Sequence, residues 1–198
     1  AGNSELMSSR VHGSEDALAE LACQRLADRP EARVLIGGLG MGFTLAAALK
    51  ELGPNAEVVV AELVPDIVKW NREILSELAG HPLEDPRVTL YEGDVGQLIR
   101  TEQGVYDAIL LDVDNGPEGL TRKENDALYS PSGLKAALAA LRPRGIFGVW
   151  SISPDQRFSK RLQQAGFSVE ETRARARGRH GDGRHGVVLR VQLIEVVT

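Results

Sequence analysis

The sequence predicts an α/β fold in which a mostly parallel sheet of seven strands carries helices on both faces and ends in a C-terminal antiparallel hairpin. Three observations carry this. Short apolar runs alternate with helical periodicity from residue 33 to 165, the pattern of a parallel sheet with crossover helices. The last two apolar runs, about 167–173 and 186–196, have no helix between them, so they are expected to pair antiparallel. Each of the first four strands ends in glycines or an acid, and the winding rule brings those ends to one edge.

The elements follow in order. Residues 1–13 read as an extended lead-in and 14–198 as one domain, a length suited to a single core. Ser14 is placed to cap a helix whose first turn holds Glu15 and Asp16, acids that oppose the helix dipole. Arg33 to Ile36 is a buried strand running into Gly37-Gly38-Leu39-Gly40-Met41-Gly42, followed by a helix over about 43–52. Val58 to Ala61 is the second strand. Pro65 suits the first turn of the next helix, in which Ile67, Trp70, Ile74, Leu75 and Leu78 mark one apolar face. Arg87–Tyr91 and Val105–Leu111 are the third and fourth strands. Ser130-Pro131 opens a helix carrying Leu134, Leu138 and Leu141. Gly145–Ser151 is the fifth strand, and a helix near 155–165 precedes the hairpin.

Composition narrows the function classes. Of 198 residues, 42% are hydrophobic and 26% charged, as in ordinary globular proteins. No apolar run reaches the roughly 18 residues that span a bilayer, and no targeting leader is visible, so no membrane partner is expected. The net charge of −5 argues against nucleic acid as a partner, although Arg173, Arg175, Arg177, Arg179 and Arg184 form a basic, glycine-interleaved stretch. Cys23 is the single cysteine; it lies among leucines as a core residue and fits a reducing, cytoplasmic compartment. No metal-ligand spacing, nucleophile elbow or phosphate-loop lysine is present.

The strand ends point to one ligand class. The glycines let the chain turn sharply and let a ligand approach the main chain, and the helix that follows offers its N–H groups to a negative group. Glu62 lies about twenty residues on, at the second strand's end, where a carboxylate can take two ribose hydroxyls. Asp94, after the third strand, can accept from an adenine amine. Counted from Gly38, the turn departs from the dinucleotide spacing: Gly42 comes one residue early and Phe43 replaces a small residue. Together with Asp94 and the terminal hairpin, this favours an adenosyl-sulfonium ligand over a nicotinamide dinucleotide.

Val34 to Gly42, Glu62, Gly93-Asp94 and the stretch Tyr106-Asp107-Ala108-Ile109-Leu110-Leu111-Asp112-Val113-Asp114-Asn115-Gly116-Pro117 together resemble the spermidine and spermine synthases. These share the Rossmann-like class I methyltransferase fold, and the likeness covers about residues 5–196. It implies S-adenosylmethionine, or its decarboxylated form, as the cofactor, with no metal. The implied donor site is Gly37, Gly38, Leu39, Gly40, Glu62, Leu63, Asp94, Val95 and Asp112. Glu62 would hold the ribose and Asp94 the adenine. Asp112 would be the catalytic residue beside the transferring carbon and the attacking group. The acceptor would meet His12 in the lead-in, Asp114, Asn115 and Tyr129, within a specificity loop over 113–130.

Two departures bear on the reaction. The synthases carry an acid in a Gly-Gly-Gly-Asp-Gly-Gly turn, and its place here is read as Gly40. Their Asp-x-x-Asp-Pro loop has Asn115 for its second acid, with Asp114 displaced by one. The first removes a charge that would attract an aminopropyl ammonium and repel a carboxylate; the second weakens a pocket for a cationic polyamine. The expected activity is therefore methyl transfer to a small-molecule acceptor, amines among the candidates. Aminopropyl transfer to a polyamine, as in spermidine and spermine synthases, is the first alternative, and a non-catalytic adenosyl-binding protein the second. The resemblance also admits a homodimer.

Overall fold

A computed structural model describes residues 12–113, 127–151, 156–175 and 188–196. The lead-in before residue 12, Asp114, Asn115 and the centre of the basic stretch lie outside the described residues. The elements are α1 (Gly13–Cys23), β1 (Arg33–Gly37), α2 (Phe43–Glu51), β2 (Glu57–Glu62), α3 (Pro65–Arg72), β3 (Val88–Glu92) and α4 (Val95–Thr101). They continue with β4 (Tyr106–Leu111), α5 (Pro131–Ala140), β5 (Leu141–Ser151), α6 (Gln156–Ala165), β6 (Phe167–Arg175) and β7 (Val188–Val196).

The seven strands form one sheet in the order β3-β2-β1-β4-β5-β7-β6. The first five are parallel, and β7 runs antiparallel between β5 and β6. The expected α/β sheet and terminal hairpin are thus both present. Winding reverses between β1 and β4, which places the crevice at their carboxyl ends.

Alternating side chains divide the core in two. Val34, Ile36, Val58, Val60, Ala108 and Leu110 face α1, α2 and α3. Leu35, Val59, Ala61, Ile109, Leu111 and Val149 face α4, α5 and α6. Cys23 lies in the first cluster, and burial pushes its thiol up to about 12, consistent with an inert core residue.

The edge opposite the crevice is tied by buried Asp107. Its carboxylate accepts from Arg29 at 2.7 Å, Arg142 at 2.6 Å and the Arg33 backbone N–H at 2.8 Å. Arg87 secures the end of α2 by donating to the carbonyls of Leu49, Leu52 and Gly53 while pairing with Asp85. These contacts hold the strand starts so that the strand ends can carry loops.

Several boundaries depart from the sequence expectation. Helix α1 starts at Gly13, and the residue at its N-cap is His12, not Ser14. The apolar series through Leu78 is not one buried face. Helix α3 stops at Arg72, its inward positions are Val68 and Asn71, and Trp70, Ile74 and Leu78 are exposed. Leu141 is not the last apolar position of a helix but opens β5 directly after α5, with a register shift opposite Tyr106–Ala108. Helix α4, which no apolar period announced, is started by Asp94.

Candidate functional site

The glycine turn leaves β1 with Gly38, Gly40 and Gly42 all in left-handed conformations, at φ +91°, +52° and +84°. A Cβ on Gly38 would stand 2.3 Å from the Asp112 carbonyl oxygen, so glycine is required there by both backbone and contact. The turn closes by the Gly42 N–H donating to the Leu39 carbonyl at 2.8 Å, and Gly42 then caps α2. From below, buried Asn71 donates to the carbonyls of Gly40 and Ile67 at 2.8 and 2.9 Å. Val95 packs against Gly37 and is buried, so its side chain supports the turn from within the core.

Glu62 ends β2 almost wholly buried, at 6% exposure. One carboxylate oxygen accepts from the Leu39 N–H at 2.9 Å and the other from the Val64 N–H at 2.8 Å. A carboxylate oxygen has more than one lone pair, so both oxygens keep acceptor capacity for a pair of hydroxyls while two amides fix their positions. Leu63 beside it is 48% exposed, an apolar surface at the crevice. Asp94 has a structural task that the sequence reading missed. It caps α4 by accepting from the Gly96 N–H at 2.8 Å and pairs with Arg100 at 3.1 Å.

Asp112 follows β4 with its own N–H donating to the Gly37 carbonyl at 2.9 Å. Its carboxylate accepts from the hydroxyl of buried Thr44, in the first turn of α2, at 2.6 Å. Although the residue is only partly covered, desolvation of the carboxyl pushes it up to about 7; the Thr44 hydrogen bond opposes this and the negative charge of Glu15 adds to it. A carboxyl so placed changes protonation near neutrality, as a general base requires. Thr44 was not singled out from the sequence; a hydroxyl at the start of a helix whose next five residues are all apolar, just after the glycines, was the available signal. Asn71, the one amide in its helix, gave a similar signal.

His12 stacks on Phe43 with ring centroids 4.2 Å apart, and its Nδ1 lies 2.8 Å from Asp16. The structure thus brings His12 to the turn, Glu62, Thr44 and Asp112 around one crevice. Tyr129 is not brought there. It is 2% exposed in the second core cluster, edge-on to Phe158, so the sequence expectation of an acceptor-lining role is replaced by packing.

A family model, the spermine/spermidine synthase domain, matches residues 17–161, nearly three quarters of the sequence. The chain belongs to this family. Among curated relatives, it is 35% identical to putrescine N-methyltransferase 1 of Nicotiana tabacum over 116 residues, covering 58% of this chain and 29% of that protein. It is 34% identical to a polyamine aminopropyltransferase of Korarchaeum cryptofilum over 86 residues, covering 43% and 26% respectively. The chain thus spans less than a third of the length of either. Spermidine synthase from Thermotoga maritima shares the fold, with a TM-score of 0.72 and 17% identity, covering 93% of this chain and 60% of that one.

The turn geometry corrects the register read from the family motif. Gly40 is one of three residues in the turn with positive φ, whereas Met41 is not. Set as Gly38-Leu39-Gly40-Met41-Gly42-Phe43, the glycines at the motif's first, third and fifth positions coincide with the three left-handed positions. Its acid then falls on Met41, where an L-residue sits without strain. The acid is absent in either register, but Met41, not Gly40, stands in its place.

Proposed function

We propose that this chain binds S-adenosylmethionine and transfers its methyl group to a small-molecule acceptor, an amine being the class that the site serves best. The observation that carries the reading is the glycine turn, which holds apolar Met41 where the family motif holds an acid. The repulsion that acid would exert on the donor's carboxylate is absent, and the N-terminus of α2 favours a negative group. The similarity to putrescine N-methyltransferases supports the same reaction.

The residues fit the donor on two further grounds. Gly38 lets the turn pass directly against the Asp112 backbone, which brings the ends of β1 and β4 together at the crevice, and Glu62 is held by two amides with acceptor capacity left for the ribose. Leu63 offers the adenine an apolar surface; Asp94, already a cap, keeps lone pairs for its amine. When bound, the donor supplies an electrophilic carbon on a sulfonium. The protein's part is alignment and proton removal. An amine arrives as an ammonium without a nucleophilic lone pair, so the part of Asp112 is to take its proton and free the nitrogen lone pair. Thr44 holds the Asp112 carboxylate in position for this step. His12 borders the acceptor side, and we assign Asp114 and Asn115 to the acceptor loop.

The test is calorimetry with both donors. The wild type is expected to bind S-adenosylmethionine more tightly than its decarboxylated form, and Met41→Asp to reverse that order. Equal affinities in both proteins would refute the assignment of Met41.

A further inference from the structure

Trp70, Ile74 and Leu78 lie four residues apart and are 42%, 74% and 46% exposed. Scattered exposed apolar side chains are ordinary, but three at helical spacing form a patch, which marks an interaction site. The chain goes on winding past the end of α3 and so carries all three. The Leu75 N–H donates to the Trp70 carbonyl at 2.8 Å and the Leu78 N–H to the Leu75 carbonyl at 3.0 Å, leading into a 3-10 turn over Ser76–Ala79. Val68, Asn71 and Ser76 are the buried residues of this stretch. Asn71 is anchored inward on the Gly40 carbonyl, which fixes the rotation of the segment and leaves the apolar row outside.

The row is evenly spaced about Ile74, and the charges beside it differ in sign from one end to the other. Lys69, Glu73 and Glu77 each precede one of the three apolar residues, and all are exposed. Their side chains take part in no ion pair among the described residues. A second copy laid antiparallel across a two-fold axis sets Ile74 against Ile74, Trp70 against Leu78 and Lys69 against Glu77. It makes two opposite-charge contacts and one like-charge contact, between the two copies of Glu73. A parallel arrangement would set like charges together at all three positions. The antiparallel contact also closes on itself, giving a dimer without further growth.

We propose that this outer face of α3 and the turn after it is a self-association surface, on which two copies of the chain pair antiparallel about Ile74. Three large apolar side chains and their flanking charges fall short of the roughly 800 Å² per partner of a standard interface. The dimer is therefore of the weak, reversible class, with a Kd on the order of 10 μM. It depends on neither the donor nor the reaction assigned above.

Sedimentation equilibrium of the full chain tests this. The apparent mass should rise from 21.4 kDa towards twice that value between about 1 and about 200 μM. Ile74→Glu places two carboxylates at the axis and should weaken association by about a hundredfold or more. The unfolding midpoint should stay in place, because the Ile74 side chain is mostly exposed in the single chain. Lys69→Glu should weaken the dimer about tenfold, and adding Glu77→Lys should restore it. Glu73→Gln alone should tighten the dimer by removing the like-charge contact. A chain that stays at 21.4 kDa throughout overturns the proposal and leaves the row to a partner of another kind. So does a dimer that Ile74→Glu does not weaken, or a loss in Lys69→Glu that Glu77→Lys does not recover.

Discussion

Glu62→Gln tests the residue to which we assign the donor's ribose. Each Glu62 oxygen accepts one backbone N–H, from Leu39 at 2.9 Å and from Val64 at 2.8 Å. Gln keeps the shape but turns one acceptor into an NH2 that faces an N–H. One hydrogen bond to a charged group, worth about 1.5–3 kcal/mol, is lost, and a nearly buried amide is left unpaired. A total near 3 kcal/mol is expected. For a chain of this size each kcal/mol shifts the unfolding midpoint by roughly 2–4 °C, so calorimetry should show a fall of roughly 6–12 °C. Donor affinity should fall as well, by about thirtyfold if about 2 kcal/mol of ribose interaction is lost. An unchanged midpoint would refute the clamp between the turn and β2. A lowered midpoint with full donor affinity would refute the ribose assignment while leaving the clamp intact.

Three further outcomes are expected. Asp107→Asn weakens a buried carboxylate that holds Arg29 and Arg142, so urea unfolding should show a loss of about 3–5 kcal/mol; donor affinity, measured at the opposite edge, should not change. Asp112, pushed up to about 7 in the folded protein against about 3.9 unfolded, binds its proton more tightly when folded. Its contribution therefore stabilises at low pH and is lost as pH rises from about 4 through about 7; in urea titrations Asp112→Asn should flatten that part of the stability profile, and in the wild type kcat/KM should rise with pH up to about 7. Thr44→Val removes the 2.6 Å donation, which lowers the Asp112 pKa, so the rising limb of the rate profile should move to higher pH; a limb that stays in place would detach Thr44 from the base.

The sheet was legible because its signals are local and periodic. Buried β-branched runs, Pro65, Ser130-Pro131 and the glycine turn each bias the backbone where they stand. Glu62 and Asp112 were legible because the winding rule assigns strand ends to one crevice. What escaped depended on contacts between distant segments. Asn71 turns the inner face of α3 toward Gly40, which leaves Trp70, Ile74 and Leu78 outside, although their spacing suggested a buried stripe. Tyr129 is drawn into the core by Phe158, 29 residues away in sequence. The place of Asp94 as a cap follows from a helix too short, at seven residues, to show a period. The motif's register needed backbone angles, because glycine identities alone match it equally well in two ways.

The most direct test of the account is the product formed when the chain meets each donor with a panel of small amines and hydroxyl compounds. Mass spectrometry should find methylated acceptor and S-adenosylhomocysteine from S-adenosylmethionine, and no aminopropylated product from the decarboxylated donor. Aminopropyl transfer from the decarboxylated donor, without methylation from the other, would contradict it. Tight donor binding without transfer to any acceptor would instead mark a binding protein that keeps the family's donor site.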